Sequence, residues 1–179
     1  YLCYLSTDFV FDGIAGMYRE DDPPDPVNHY GVTKWQAEKA VQNYANDWSV
    51  VRTVLVYGKP VQGRPNLLSI MADRLRKGET YSVVDDQFRT PTYAGDLAMG
   101  VADLIEGKHR GIFHLCGSEM MTPYQMAIRT AAFLNLDSKW IQPVTEEIFQ
   151  QPARRPKKTG LNIQKAIDVI GYRPRSFEE

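Results

Sequence analysis

Cysteine is scarce in this sequence. Of 179 residues only Cys3 and Cys116 are cysteines, each inside an apolar run. That excludes a disulfide framework and fits free thiols in a reducing, cytoplasmic compartment. The three histidines, His29, His109 and His114, are scattered without ligand spacing, so no metal site is expected. Charge of one sign is also missing: 21 Lys and Arg stand against 22 Asp and Glu, for a net charge of −1. Nucleic acid and anionic membrane are therefore not the expected partners. No apolar stretch approaches the ~20 residues of a membrane span. The chain opens Tyr1-Leu2-Cys3-Tyr4-Leu5 with neither a methionine nor a charged lead-in. It reads as beginning inside a strand, and the expectation is a piece of a longer protein.

What is present is ordinary for a folded domain: 43% hydrophobic, 24% charged and 11% aromatic residues. The length suits roughly one domain on a prior of ~100–200 residues. Residues 1–5 read as a buried strand closed by Ser6-Thr7-Asp8, and Asp12-Gly13 ends the apolar run after it. Three prolines between residues 23 and 26 make residues 14–29 a loop. Helical spacing predicts a helix from Tyr30 to Ala45. The β-branched run Ser49 to Tyr57 predicts one strand ending at Gly58-Lys59-Pro60. A loop carrying Pro60, Gly63 and Pro65 precedes a helix over Leu67 to Arg76, then a short strand over Tyr81 to Val84. A helix over Tyr93 to Ile105, a strand over Gly111 to Leu115, and helices over Pro123 to Leu134 and Asn162 to Ile170 complete the pattern. Pro152 to Lys158 is proline-rich and basic. Helix, turn and strand in alternation is the cadence of an α/β sheet protein.

Two local patterns could carry chemistry. In Tyr30-Gly31-Val32-Thr33-Lys34, positions four apart share a helix face and bring a phenol beside an ammonium. A cation there favours phenolate, which suits proton exchange with a substrate hydroxyl or carbonyl. Taken alone, the pair is more simply a surface neighbour pair. Ser6-Thr7-Asp8 places a hydroxyl at the carboxyl end of a strand, where open α/β sheets hold their ligands. Taken alone, it is more simply a strand-end turn.

Together and in order, these segments resemble the extended short-chain dehydrogenase/reductase family, in particular its dTDP-4-dehydrorhamnose reductase branch. Ser6-Thr7-Asp8-Phe9-Val10-Phe11-Asp12-Gly13 is similar to that branch's STDYVFDG, and Tyr30 to Lys34 to its YGxTK. Arg52 to Gly58 resembles RTxWVYG. Asp86 to Thr92 with Asp96-Leu97-Ala98 resembles DQxGxPT…DLA. Ala153-Arg154-Arg155-Pro156 with Leu161-Asn162 resembles the family's RP…L(D/N) stretch.

The resemblance implies the C-terminal part of a Rossmann-type doubly wound parallel sheet plus a small α/β substrate-binding region. Residues 1–60 would close the dinucleotide-binding domain. Residues 61–179 would form most of the sugar-nucleotide region, with 93–115 returning to the sheet. It implies NAD(P)H-dependent reduction of a 4-keto nucleotide sugar, with NADP(H) or NAD(H) as cofactor. Thr7, Tyr30 and Lys34 would be the catalytic set, with Tyr30 as general acid and Lys34 on the nicotinamide ribose. Val54 and Val56 would pass near the nicotinamide. Asp8, Val10, Asn66, Arg89 and Arg155 would meet the nucleotide sugar, the last three through its diphosphate. For those three, side chains that simply face solvent are an equal reading.

The departures are also specific. The family's glycine-rich phosphate loop is absent, so pyrophosphate and adenine binding are incomplete here. Leu55 stands where the branch often has Trp, and Arg89 where it often has Gly. A non-catalytic regulatory subunit and a sugar-nucleotide epimerase or dehydratase are the alternatives. These 179 residues by themselves are expected to have little or no activity and to self-associate, for instance as a homodimer, through an uncovered sheet edge.

Overall fold

The computed structural model describes residues 1–44, 46–59, 65–149 and 153–179. The expectations for Ala45, Pro60, Gly63 and Pro152 lie outside the described residues. The elements run β1 (Leu2–Thr7), α1 (His29–Tyr44), β2 (Trp48–Thr53), β3 (Val56–Tyr57), α2 (Leu67–Arg76), β4 (Tyr81–Val84), β5 (Thr92–Tyr93), α3 (Ala94–Glu106), β6 (Gly111–His114), α4 (Pro123–Phe133), β7 (Ile141–Val144) and α5 (Gln164–Ile170). Single 3-10 turns follow β1 (Asp8–Val10), precede β7 (Ser138–Trp140) and follow it (Glu146–Phe149).

Strands β1, β2 and β6 form a parallel sheet with β2 in the centre. Parallel neighbours need crossover connections, which α1 and α3 supply. The helices lie on opposite faces. Val41 of α1 packs with Trp48 and Val50, whereas Leu104 of α3 packs with Val51 and Phe113. This is why β2 reads as an unbroken β-branched run: both of its faces are buried. On edge strand β1, Leu2 and Leu5 remain exposed.

A second core lies under the parallel pair β4–β7, where Met71 and Leu75 of α2 meet Val83, Ala127, Ala131 and Ile141. Strand β7 has no alternating apolar pattern in the sequence, because Gln142 and Pro143 at its centre are both exposed.

The strand expected over residues 49–57 is broken. β2 ends at Thr53, and Leu55 takes a left-handed backbone conformation with φ of 34°. The chain then resumes as β3 beside β5. Tyr93, expected to open a helix, is in β5, and α3 begins one residue later. Bonds of the Thr92 side chain to Thr53 and Val54 hold the break, with Thr92 Oγ1 donating to Val54 O at 2.5 Å.

Candidate active site

Thr7 ends β1, and its side chain caps the following 3-10 turn by accepting from Phe9 N at 3.3 Å. Its hydroxyl donates to Asp8 Oδ1 at 3.0 Å. Tyr30 lies in the first turn of α1. Its ring packs edge-on against Phe9 at 5.8 Å and is 53% exposed. One turn on, Lys34 Nζ donates to Leu5 O at 2.7 Å and sits 4.3 Å from the Tyr4 ring centre. That single bond leaves two of the three ammonium donors for other acceptors. The three residues thus converge on one stretch, Leu5 to Phe9, at the carboxyl end of the sheet.

Close approach of backbone makes this possible. A Cβ at Gly31 would stand 2.1 Å from Phe9 O and 2.8 Å from Pro26 Cβ. Only a glycine lets the first turn of α1 rest on the turn after β1.

Asp8 is buried. It accepts from the Thr7 and Thr159 hydroxyls and lies 3.8 Å from Arg89 Nε. Burial pushes its carboxyl above the usual range, and the Arg89 charge and the two hydroxyls counter only part of that. Burial likewise pushes Arg89 down, so desolvation outweighs the attraction on both partners at this separation.

Several expected ligand residues are used elsewhere. Arg89 is 5% exposed and donates to Phe88 O, Lys157 O, Pro156 O and Gln87 Oε1. This corrects its reading as a diphosphate ligand: the fork pins residues 87–89 to residues 156–157. Asn66 caps α2, accepting from Leu68 N and Ser69 N at 3.0 Å and donating to Gly58 O at 2.5 Å. Its side chain serves the helix end instead of a ligand. The Val10 and Val54 side chains are wholly inside the main core, so neither reaches an open face. Val56 is 43% exposed.

Arg155 is exposed and lines a cleft of about 370 Å³ together with Arg74, Tyr81, Gln87, Glu146 and Phe149. Composition alone could not single out these partners, which come from four separate parts of the chain. Sequence reasoning also missed Glu38 and Arg52. Their signal was a second charged residue one turn after Lys34, and an arginine inside an otherwise apolar strand.

The residues present fit one end of a nicotinamide dinucleotide. Tyr30 and Lys34 offer a phenol and free ammonium donors at the carboxyl end of β1, and Val56, in the separate β3–β5 pair, offers an exposed apolar side chain. The sequence has no glycine-rich turn for the pyrophosphate. Among the described residues there is no cluster of His, Cys, Asp and Glu suited to a metal ion. No helix there is long and apolar enough to cross a membrane.

Residues 1–179 match the family described as RmlD substrate binding domain. The chain belongs to that family. Among solved structures, a dTDP-4-dehydrorhamnose reductase from Bacillus anthracis str. Ames in complex with NADP is 31% identical, with a TM-score of 0.90 over 98% of this chain and 62% of that one. Among curated relatives, methionine adenosyltransferase 2 subunit beta from Danio rerio is 32% identical over 96% of this chain and 54% of that protein. Spore coat polysaccharide biosynthesis protein SpsK from Bacillus subtilis (strain 168) is 33% identical over 98% of this chain and 60% of that protein. This RmlD-family chain therefore spans little more than half the length of the relatives it matches. A dTDP-glucose 4,6-dehydratase from Streptomyces venezuelae, at 22% identity and a TM-score of 0.78, shares the fold.

Proposed function

We propose that the chain carries the proton-transfer half of an NAD(P)H-dependent reductase acting on a 4-keto nucleotide sugar. The observation that supports this best is the convergence of Thr7, Tyr30 and Lys34 on residues 5–9 in a chain 31% identical to a dTDP-4-dehydrorhamnose reductase. NADPH or NADH, when bound, supplies hydride to the sugar carbonyl carbon.

The residues of this chain do the rest. Tyr30 gives its phenolic proton to the carbonyl oxygen, which becomes the new hydroxyl. Lys34 steadies the phenolate left behind, and its free donors suit ribose hydroxyls. To orient the carbonyl at the end of β1, the Thr7 hydroxyl turns from Asp8 Oδ1 and donates its one proton to the carbonyl oxygen. Val56 offers an exposed apolar side chain to the nicotinamide. The cleft with Arg155, Arg74 and Tyr81 suits the nucleotide diphosphate, because guanidinium groups pair with phosphate oxygens and a phenol ring can stack on a base. Asp8 is buried and holds the Thr7 hydroxyl in the absence of a carbonyl.

The test is oxidation of NADPH and of NADH by the complete protein with a dTDP-4-keto-6-deoxy sugar. Turnover that falls about 100-fold or more in Tyr30→Phe is expected. Equal rates for the two proteins would remove Tyr30 from the chemistry.

A second reading is a non-catalytic subunit of a larger assembly. The relatives named as methionine adenosyltransferase 2 subunit beta support it. Absence of turnover with both cofactors, together with stable association with a catalytic partner, would favour it.

A further inference from the structure

Helix α1 carries a third residue on the face of Tyr30 and Lys34. Glu38, eight residues after the tyrosine, is 0% exposed, and Arg52 in central strand β2 is 1% exposed. Arg52 Nε donates to Glu38 Oε1 at 3.0 Å and Nη2 to Oε2 at 2.8 Å. Ser6 Oγ donates to the same Oε1 at 2.5 Å. Ser6 is paired in register with Arg52, and the next pair is Thr7 with Thr53. One carboxylate thus ties the helix to both strands, one residue before the candidate catalytic hydroxyl.

We propose that Glu38 and Arg52 are positioning residues that set the height and rotation of α1 on the sheet, and through it the placement of Tyr30 and Lys34 relative to Thr7. An apolar contact between helix and sheet is non-directional and allows sliding, whereas a bidentate fork with a third hydrogen bond does not. A buried ion pair is also a poor way to gain stability, since its desolvation cost rivals its attraction. The arrangement is further constrained around Arg52. Its guanidinium lies 5.0 Å from the Phe11 ring centre, and its register partner in β6 is the buried His114. Lys34, one turn earlier on α1, holds Leu5 O, so successive helix turns grip successive residues of β1.

The catalytic consequence rests on the reductase reading above, so the test carries a readout that does not need turnover. The variants are Glu38→Gln, Arg52→Lys, and the apolar pair Glu38→Leu with Arg52→Met. In each, 3-fluorotyrosine is placed at position 30 and its fluorine resonance is recorded, with kcat and KM measured in parallel in the complete protein. The apolar pair is expected to remain folded, shift and broaden the Tyr30 resonance, and lower kcat on the order of 10- to 100-fold at nearly constant KM. Arg52→Lys, which keeps the charge, is expected to recover part of both effects.

If the apolar pair does not fold, Glu38→Gln decides by the same two readouts. A folded variant with an unchanged resonance overturns the proposal, as does an unchanged kcat where the parent turns over. If the parent shows no turnover, the reductase reading fails, and the resonance alone still decides whether the clamp sets Tyr30.

Discussion

Thr7 Oγ1 donates to Asp8 Oδ1 across 3.0 Å, and the other Asp8 oxygen lies 3.8 Å from Arg89 Nε. A candidate catalytic hydroxyl is thereby coupled to a buried arginine that itself holds residues 156 and 157. The sequence pattern invites a phosphate-binding role for Arg89. The structure makes it an internal brace.

Arg89→Met is therefore expected to cost about 3 kcal/mol or more of stability, because it leaves buried carbonyls without their donor and removes the charge facing Asp8. Urea denaturation checks this. Where the variant still folds, its affinity for a nucleoside diphosphate should match that of the parent, whereas Arg155→Met should weaken it. A selective loss of affinity in Arg89→Met would restore the phosphate role.

Gly31→Ala drives a methyl group into Phe9 O. The first turn of α1 must lift, carrying Tyr30 with it. The expected cost is on the order of 1–3 kcal/mol, read as a lower urea midpoint. In an active protein, kcat should fall more than ligand affinity does.

His114 is wholly buried and its pKa is lowered to about 3, first by burial and then by the Arg52 charge. Its Nδ1 lies 3.2 Å from Asn162 O, which accepts, so the proton of the neutral ring sits on Nδ1. The unfolded chain protonates this histidine near its ordinary value of 6.5, and the folded chain does so only near 3. Stability from this group is thus complete above pH 6.5 and is lost as pH falls toward 3, by up to about 1.4 kcal/mol per pH unit. Asp8 and Glu20, both raised by burial, act in the opposite sense, losing stability as pH rises through their folded values. His114→Asn should flatten the acid limb of a urea-midpoint profile relative to the parent, and an unchanged slope would contradict this account.

Cys116 is fully buried, accepts from Thr90 Oγ1 at 3.1 Å, and has its thiol pushed up to about 12 by burial. Reactivity requires thiolate and access. Titration with an aromatic disulfide is expected to find a single reactive thiol in the native protein, the half-buried Cys3, and two in denaturant. Two fast thiols in the native state would show that the core around Leu161 opens.

Much of the architecture was legible locally. The helix at Leu67–Arg76 and the strand at Tyr81–Val84 match their expected limits. Apolar periodicity over ten residues and a β-branched run are written in neighbouring positions. Strand β7 was not legible, because what defines it is pairing with β4 some sixty residues away, not its own pattern.

The candidate site divides in the same way. Spacing and propensity, which are properties of adjacent residues, already put Tyr30 and Lys34 on one helix face and Thr7 at the end of a strand. Folding of distant segments onto one another is what turns Arg89 inward to residues 156 and 157, leaves Asn66 capping its own helix, and lets Glu38 join Ser6 to Arg52. A polar side chain takes the partner that burial brings to it, and that partner is set by packing between distant segments instead of by the residues on either side.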